Sequence, residues 1–111
     1  MRPFEYNFRK HFFSMANPIY SDISSFRYTC PCCGYKMFKE PPGSYDICEI
    51  CYWEDDQVQF DDPGYAGGAN AVSLKEGQQN YARFGACTED MMRYVRKPNS
   101  FDVKDPDWAP Y

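Results

Sequence analysis

The chain has 111 residues, of which 25% are charged and 43% are hydrophobic. This length suits one small domain and is too short for two ordinary hydrophobic cores. No apolar run approaches the ~20 residues of a membrane-spanning helix, and the composition excludes a collagenous or fully disordered chain. Tyr, Phe and Trp together make up 19% of the residues, so we expect a core built from aromatic rings.

Charge is distributed unevenly along a chain whose formal net charge is −4. Residues 1–39 have six basic and two acidic side chains, whereas residues 40–111 have six basic and fourteen acidic ones. Residues 40–62 contain eight of these carboxylates and no Lys or Arg. Such a segment repels nucleic-acid phosphates and attracts basic protein surfaces, so nucleic-acid binding is disfavoured.

Residues 1–27 form an aromatic, mildly basic N-terminal extension. Alternation of aromatic and polar residues over 4–8 is a weak strand signal. The first residues lack the charged segment and apolar stretch of a secretory signal, so a cytoplasmic location is expected. His11 is the only histidine, and we expect no metal-binding or catalytic role for it.

Two Cys-x-x-Cys pairs follow this extension, formed by Cys30 with Cys33 and by Cys48 with Cys51. Two intervening residues let a tight turn direct both sulfurs at one ion, and four sulfurs suit tetrahedral Zn²⁺ in a closed site. Iron also fits thiolate sites of this type. In a reducing compartment, metal ligation is favoured over disulfides and over a thiol redox role for the first pair.

The first pair has the Cys-Pro-x-Cys-Gly pattern of the knuckles in zinc ribbons and rubredoxins, in which Gly34 allows a positive φ. The second pair departs from this pattern, because Tyr52 stands where glycine is usual. We expect Cys32 to be a non-ligand beside the site and Cys87 to be a buried small apolar residue.

The fold class predicted for residues 28–98 is α+β, a small zinc-ribbon-like β-hairpin with one or two short helices packed on it. A Pro-Pro-Gly-Ser turn separates residues 35–39 from residues 45–47, and these two runs are predicted to pair as the hairpin. Ser73 and Glu76 form a capping box for a helix that should end at Gly85. A second short helix is expected over 89–95, and residues 99–111 form an extended C-terminal tail.

An acidic aromatic segment follows the second cysteine pair, and two interpretations of it remain open. In the first, the tryptophan packs over the knuckle and the carboxylates lie in water. In the second, a rigid aromatic anchor ringed by carboxylates binds a basic protein partner. The candidate contact residues are Trp53, Glu54, Asp55, Asp56, Asp61 and Asp62. No nucleophile or phosphate-binding loop accompanies these carboxylates, so enzymatic activity is not expected.

Several motifs in order resemble the cysteine-rich CPCC domain family, over residues 28–98. They are Tyr-Thr-Cys-Pro-Cys-Cys-Gly at 28–34, Pro-Gly-Ser-Tyr-Asp-Ile-Cys at 42–48, Cys-Tyr-Trp-Glu-Asp-Asp at 51–56, Gly-Gly-Ala-Asn at 67–70, and the pairs at 73–74, 80–81 and 84–85. The resemblance implies a small, mostly bacterial domain, similar to domains found near polymorphic toxin genes, where small acidic proteins act as immunity factors.

We therefore predict a cytoplasmic, zinc-stabilised protein-binding module. Its most concrete form is an immunity-type inhibitor that uses an acidic surface to neutralise a cognate bacterial toxin. The toxin is expected to have a basic surface. One alternative is a nucleic-acid-associated zinc ribbon that uses the basic residues of 1–39. The other is a thiol redox or metal-handling protein.

Overall fold

The computed structural model describes residues 26–111, so the predicted strand signal at 4–8 and His11 lie outside the described residues. Strand β1 is Tyr28–Thr29 and strand β2 is Lys36–Phe38. Helix α1 is Gln57–Asp61, helix α2 is Leu74–Phe84, and a 3-10 helix covers Glu89–Tyr94. Within residues 26–111, none of the helices has the length and apolar character needed to cross a membrane.

The two strands form an antiparallel hairpin in which Tyr28 lies opposite Phe38, with a shift of register before Thr29. The predicted strand at 35–39 is therefore present, but the prediction that it pairs with residues 45–47 is wrong. The reason is that the first cysteine knuckle is itself the turn of the hairpin: the Cys30 amide donates to the carbonyl of Tyr35 at 2.8 Å. The predicted α+β, zinc-ribbon-like fold class is confirmed.

A second, smaller hairpin surrounds the second cysteine pair. Ile47 forms an isolated antiparallel bridge with Glu54, and the Cys48 amide donates to the carbonyl of Trp53 at 2.9 Å. Residues 45–47 therefore pair with the chain that follows them in sequence. Each cysteine pair is consequently enclosed by its own short hairpin.

Helix α2 has the predicted bounds and caps. The Ser73 hydroxyl accepts a hydrogen bond from the Glu76 amide at 3.1 Å, and Gly85 ends the helix with a φ of 83°. Gly77 faces the core, where an added Cβ would lie 3.2 Å from the Trp53 ring and 3.3 Å from the Cys32 sulfur. The helix therefore packs directly on the residues around the cysteine pairs, with glycine at the closest approach.

The core is small and rich in sulfur and aromatic rings. Its largest buried side chains are Phe38, Trp53 and Phe60, with Ile50 and Leu74 as the buried large aliphatic residues of the described chain. All six cysteines belong to the same cluster. A core with so few aliphatic side chains buries little apolar surface, so the cysteine cluster is central to stability.

The C-terminal segment predicted as an extended tail lies against the first knuckle. Tyr35 bridges Lys104, and the Asp105 amide donates to the carbonyl of Gly34 at 2.8 Å. The hydroxyl of Thr29 donates to the Asp105 carboxylate at 2.6 Å, and both residues are buried. These contacts join the end of the chain to the start of the hairpin.

Trp108 attaches the last residues to the first knuckle. Its indole nitrogen donates to the carbonyl of Pro31 at 2.8 Å. Its ring covers Gly34, where an added Cβ would lie 2.5 Å from the ring. The Lys104 ammonium lies 5.0 Å from the ring centroids of both Trp108 and Tyr35, within the range of a cation–π interaction. Gly34 is therefore required both for its φ of 85° and for the space that the indole fills.

Replacement of Trp108 by alanine should release residues 103–111 and lower the free energy of unfolding by about 2–3 kcal/mol, less than for a fully buried Trp because this side chain is half-buried. Trp108→Phe keeps the ring and loses only the hydrogen bond, so it should cost about 1 kcal/mol. Thermal unfolding and amide hydrogen exchange check this, with exchange followed at Asp105 and at Lys36, whose amide donates to the carbonyl of Val103 at 2.9 Å. Unchanged exchange in Trp108→Ala would contradict the attachment.

Candidate metal centre

The first knuckle folds back through two backbone hydrogen bonds of 2.8 Å. The Cys30 amide donates to the carbonyl of Tyr35, and the Gly34 amide donates to the carbonyl of Cys30. This turn places the sulfurs of Cys30 and Cys33 on the same side of the chain, where both belong to one cluster.

The second knuckle repeats the same pattern. The Tyr52 amide donates to the carbonyl of Cys48 at 2.8 Å, and the Ile50 amide donates to the Cys48 sulfur at 3.4 Å. Tyr52 occupies the position equivalent to Gly34 and has a φ of 70°. A left-handed conformation costs a non-glycine residue about 1 kcal/mol or more. The departure noted in the sequence is therefore a local strain in the structure.

The four sulfurs of Cys30, Cys33, Cys48 and Cys51 lie within 4.8 Å of one another. Cys30 and Cys51 are separated by 3.5 Å between sulfurs, and Cys33 and Cys48 by 3.7 Å. A tetrahedron with metal–sulfur bonds of ~2.3 Å has sulfur–sulfur edges of ~3.8 Å. The cluster therefore has the dimensions of a four-thiolate metal site.

The electrostatics of the cluster also favour a cation. Burial raises the pKa of the Cys30 and Cys51 thiols well above the usual value, because desolvation disfavours the thiolate. Hydrogen bonds from the neighbouring thiols hold the pKa of Cys48 well below its usual value. A bound cation supplies the positive charge that four adjacent buried thiolates need.

The family model described as cysteine-rich CPCC matches residues 28–102. The chain belongs to the cysteine-rich CPCC family. Among curated proteins, no match to the chain is found. The match contains both knuckles, so the cysteine cluster lies inside the CPCC domain.

The two remaining cysteines of the CPCC domain lie outside the cluster of four. Cys32 belongs to the first knuckle and is fully buried with its sulfur close to Gly77, and Cys87 is 3% exposed. The Cys87 amide donates to the carbonyl of Cys51 at 2.7 Å, and burial raises the pKa of its thiol to about 12. All six cysteines are within the described residues, and all six are free thiols rather than disulfides.

Trp53 is fully buried and packs against Gly77 of helix α2. The interpretation that Trp53 packs over the knuckle agrees with this burial, whereas a fully buried ring does not fit the prediction of a rigid aromatic anchor for a partner. Its indole nitrogen has no hydrogen-bond partner among the described residues. The ring therefore acts as apolar volume in the core.

Asp55 and Asp56 are also buried, which corrects their assignment to a contact surface. One Asp55 oxygen accepts hydrogen bonds from the amides of Gly43 and Ser44 and from the Ser44 hydroxyl, at 2.9–3.1 Å. Asp56 caps helix α1 through the Gln59 amide and accepts from the Ala69 amide at 2.8 Å. These carboxylates position loops of the CPCC domain.

The other predicted contact residues are accessible. Asp61 and Asp62 are exposed at the end of helix α1, and Glu54 is half-buried. The Asp61 carboxylate accepts a hydrogen bond from the Gln57 side chain at 3.1 Å, one turn earlier. The predicted set of six is therefore divided into three structural residues and three that reach the surface.

Buried amides that the sequence analysis missed hold the long loop after helix α1. The Gln59 side chain donates to the carbonyls of Tyr65, Asn70 and Val72 at 2.9–3.2 Å. The Asn70 side chain bonds both backbone groups of Glu54 at 2.8 Å. A polar Gln between Val58 and Phe60, and an Asn at the end of a Gly-Gly-Ala-Asn loop, are the only local signals for these roles.

Gln78 joins helix α2 to both the first knuckle and the chain end. Its amide nitrogen donates to the carbonyl of Pro31 at 2.9 Å, and its oxygen accepts from the Tyr111 amide at 2.8 Å. The carbonyl of Pro31 also accepts from Trp108, so a single backbone group fixes two distant elements.

Asp55→Ala should lower the free energy of unfolding by about 2–4 kcal/mol, because three donors of the 43–44 loop lose their acceptor. Asp55→Asn keeps an acceptor oxygen and should cost less.

The pH dependence of stability gives a second test of the buried carboxyl group. Burial raises the pKa of Asp55, so its carboxylate binds a proton more readily in the folded chain than in the unfolded chain. Its contribution to stability therefore falls as the pH rises from ~4 through the raised pKa.

Chemical denaturation of wild type and Asp55→Asn between acid and neutral pH checks both parts of this prediction. The stability difference between the two proteins should shift in favour of the variant as the pH rises. Asp62→Ala, at an exposed carboxylate, is the matched control and should be nearly neutral. An Asp55→Ala variant as stable as this control would contradict the structural role.

Proposed function

We propose that the CPCC domain is a zinc-stabilised protein-binding module, most concretely an immunity-type inhibitor that neutralises a bacterial toxin through an acidic surface. The observation that carries the proposal is the closed cluster of four cysteines, each 0–1% exposed. Four protein ligands fill a tetrahedral site and leave no position for substrate or water. The proposed role of the metal is therefore to stabilise the fold, and partner binding is assigned to the surface of the domain.

Zinc is the metal that fits this proposal best, because it prefers tetrahedral thiolate sites and has no redox chemistry. Four thiolates on one divalent ion leave a local net charge of −2, which adds to the acidic balance of residues 40–111. A partner with a basic surface is therefore favoured, and polyanionic nucleic acid is disfavoured.

The accessible part of the predicted contact set is at the end of helix α1. Asp61 and Asp62 are exposed, and Glu54 is half-buried. Trp53, Asp55 and Asp56 support this region from inside, since Asp56 caps the helix that carries the two exposed carboxylates. The proposed contact surface is therefore carboxylate-rich and lacks the aromatic anchor expected from the sequence.

The proposal is tested by pull-down of the tagged chain from its native cell, followed by mass spectrometry and by assay of toxin activity with the purified partner. A variant with both Asp61→Lys and Asp62→Lys should lose the partner and its inhibition while keeping the wild-type melting temperature. Glu89→Lys with Asp90→Lys changes the same charge on the 3-10 helix and should retain the partner. Absence of a stable partner, or equal retention by both variants, contradicts the proposal.

A further inference from the structure

An open groove of about 360 Å³ lies beside the second knuckle. Its apolar lining comes from Ile47, Tyr52, Tyr94 and Val95. Ile47 is 47% exposed and Tyr94 is 57% exposed, so the groove presents apolar surface to water. Its charged lining residues are Glu49, Arg93 and Arg96. Cys48 of the sulfur cluster also lines the groove, so the groove adjoins one of the four clustered cysteines. Its lining does not include the carboxylates at the end of helix α1.

The groove is lined by the aromatic ring of Tyr52, a residue with a strained backbone conformation. Tyr52 has a φ of 70° at a position where the first knuckle has glycine. Its ring stacks on that of Tyr94, with centroids 5.3 Å apart and planes at 28°. Glycine would serve the turn without strain, so the tyrosine is explained by the surface that it forms rather than by the turn.

A projecting aromatic side chain lies on the adjoining turn. Phe101 is 90% exposed. The turn is held by three hydrogen bonds: the Phe101 amide donates to the Asn99 side chain at 2.8 Å, the Asn99 amide to the Asp102 carboxylate at 2.7 Å, and the Asp102 amide to the carbonyl of Asn99 at 3.1 Å. A turn fixed in this way loses little conformational entropy when its side chain docks.

The groove and the turn form one continuous face. Arg96 lines the groove and pairs with the Asp102 carboxylate through two hydrogen bonds of 2.7 and 3.0 Å. Phe101 directly precedes this aspartate, so its backbone lies close to Arg96 of the groove. Its exposed ring is not part of the groove lining. The same region of the surface therefore carries both a projecting aromatic side chain and an apolar groove.

The charges of this face are balanced, unlike those of the chain as a whole. Arg93 and Arg96 are matched by Glu49 and Asp102, whereas residues 40–111 have eight more acidic than basic side chains. Two copies that meet through the acidic segment 40–62 repel each other, whereas a contact through this charge-balanced face adds no such repulsion. Glu49 is 72% exposed despite its 3.2 Å ion pair with Arg96, so it is accessible to a second copy.

We propose that this face is the interface of a two-fold symmetric homodimer, in which Phe101 of each copy enters the groove of the other. Two-fold symmetry requires a patch that is complementary to itself. A projecting aromatic ring next to an apolar groove, on a charge-balanced face, meets this requirement. The strained Tyr52 and its stacking partner Tyr94 form the wall that receives the ring. The inference is independent of the acidic contact surface proposed above.

Sedimentation velocity of the metal-loaded full chain tests the dimer, over concentrations of about 1–200 µM that populate even a weak interface. The sedimentation coefficient should rise from a monomer value to a dimer value. Phe101→Ser and Tyr94→Ser should each weaken the dimer by about thirtyfold or more, the effect of removing an interface hot spot. Tyr52→Gly should weaken the dimer without lowering the melting temperature of the monomer, because it relieves the left-handed strain.

Val58→Ser is the matched control, since Val58 is 59% exposed on helix α1 and lies outside the groove lining. It should leave the dimer intact, as should the Asp61→Lys and Asp62→Lys variant. A chain that stays monomeric throughout the range overturns the inference. A dimer that is unchanged by Phe101→Ser and Tyr94→Ser also overturns it. The same holds if the chain is a monomer that uses Phe101 to bind a different protein.

Discussion

Removal of the metal is expected to abolish the folded state of the domain. Binding to a four-thiolate zinc site contributes about 10–16 kcal/mol to folding in small zinc domains, which is comparable to the total stability of about 5–15 kcal/mol of an ordinary domain. The aromatic core is small and shares its space with all six cysteines, so little else compensates. Near-ultraviolet circular dichroism and thermal melts with a strong chelator should show a loss of tertiary signal that added Zn²⁺ restores.

Substitution of a single ligand separates the metal from other effects of the chelator. Cys48→Ser should reduce the bound metal and lower the melting temperature by tens of degrees, as measured by metal analysis and thermal melts. Cys87→Ser is the matched control, because this buried thiol lies outside the cluster of four and should cost about 1 kcal/mol. A chelated chain that keeps its native spectrum and melting temperature would contradict a structural role for the metal.

Trp53→Ala is expected to have the largest effect of any substitution outside the four ligands. The side chain is fully buried against Gly77 and next to the Cys32 sulfur, so its removal leaves a large cavity beneath helix α2. Truncation of a buried aromatic side chain lowers the free energy of unfolding by about 3–5 kcal/mol. Chemical denaturation of the metal-loaded chain, monitored by circular dichroism, measures this difference.

Trp53→Phe provides the control for volume and hydrogen bonding. Phenylalanine fills most of the cavity and removes the indole N–H, which has no partner among the described residues, so the cost should stay near 1–2 kcal/mol. If Trp53 were an accessible anchor, Trp53→Ala would leave the stability unchanged and reduce only partner binding. That result would contradict the buried position of the ring.

The sequence was informative wherever the physical cause was local. The spacing within each cysteine pair forms a turn that depends on four or five consecutive residues, and the structure brings the four predicted sulfurs together. The caps of helix α2 at Ser73 and Gly85 were predicted for the same reason. The departure at Tyr52 was also visible, but the sequence did not show whether that residue adopts a left-handed conformation.

Chain reversals over longer separations were not predictable in this way. The run at 35–39 is a strand, but its partner is Tyr28–Thr29 rather than 45–47, because the first knuckle already supplies the turn. Likewise, the charges and prolines of residues 99–111 suggested an extended tail. Its attachment depends on groups 70 or more residues away, such as Thr29 for Asp105 and Pro31 for Trp108.

The sequence by itself determined the donor set, the cysteine turns and the extent of helix α2, because each depends on neighbours along the chain. Only the tertiary structure decided which acidic and aromatic side chains face water. Asp55 is buried because the amides of Gly43 and Ser44, 12 and 11 residues away, supply the hydrogen bonds that water would otherwise make. A carboxylate is stable in the interior only where distant backbone donors converge on it, and composition carries no information on that convergence.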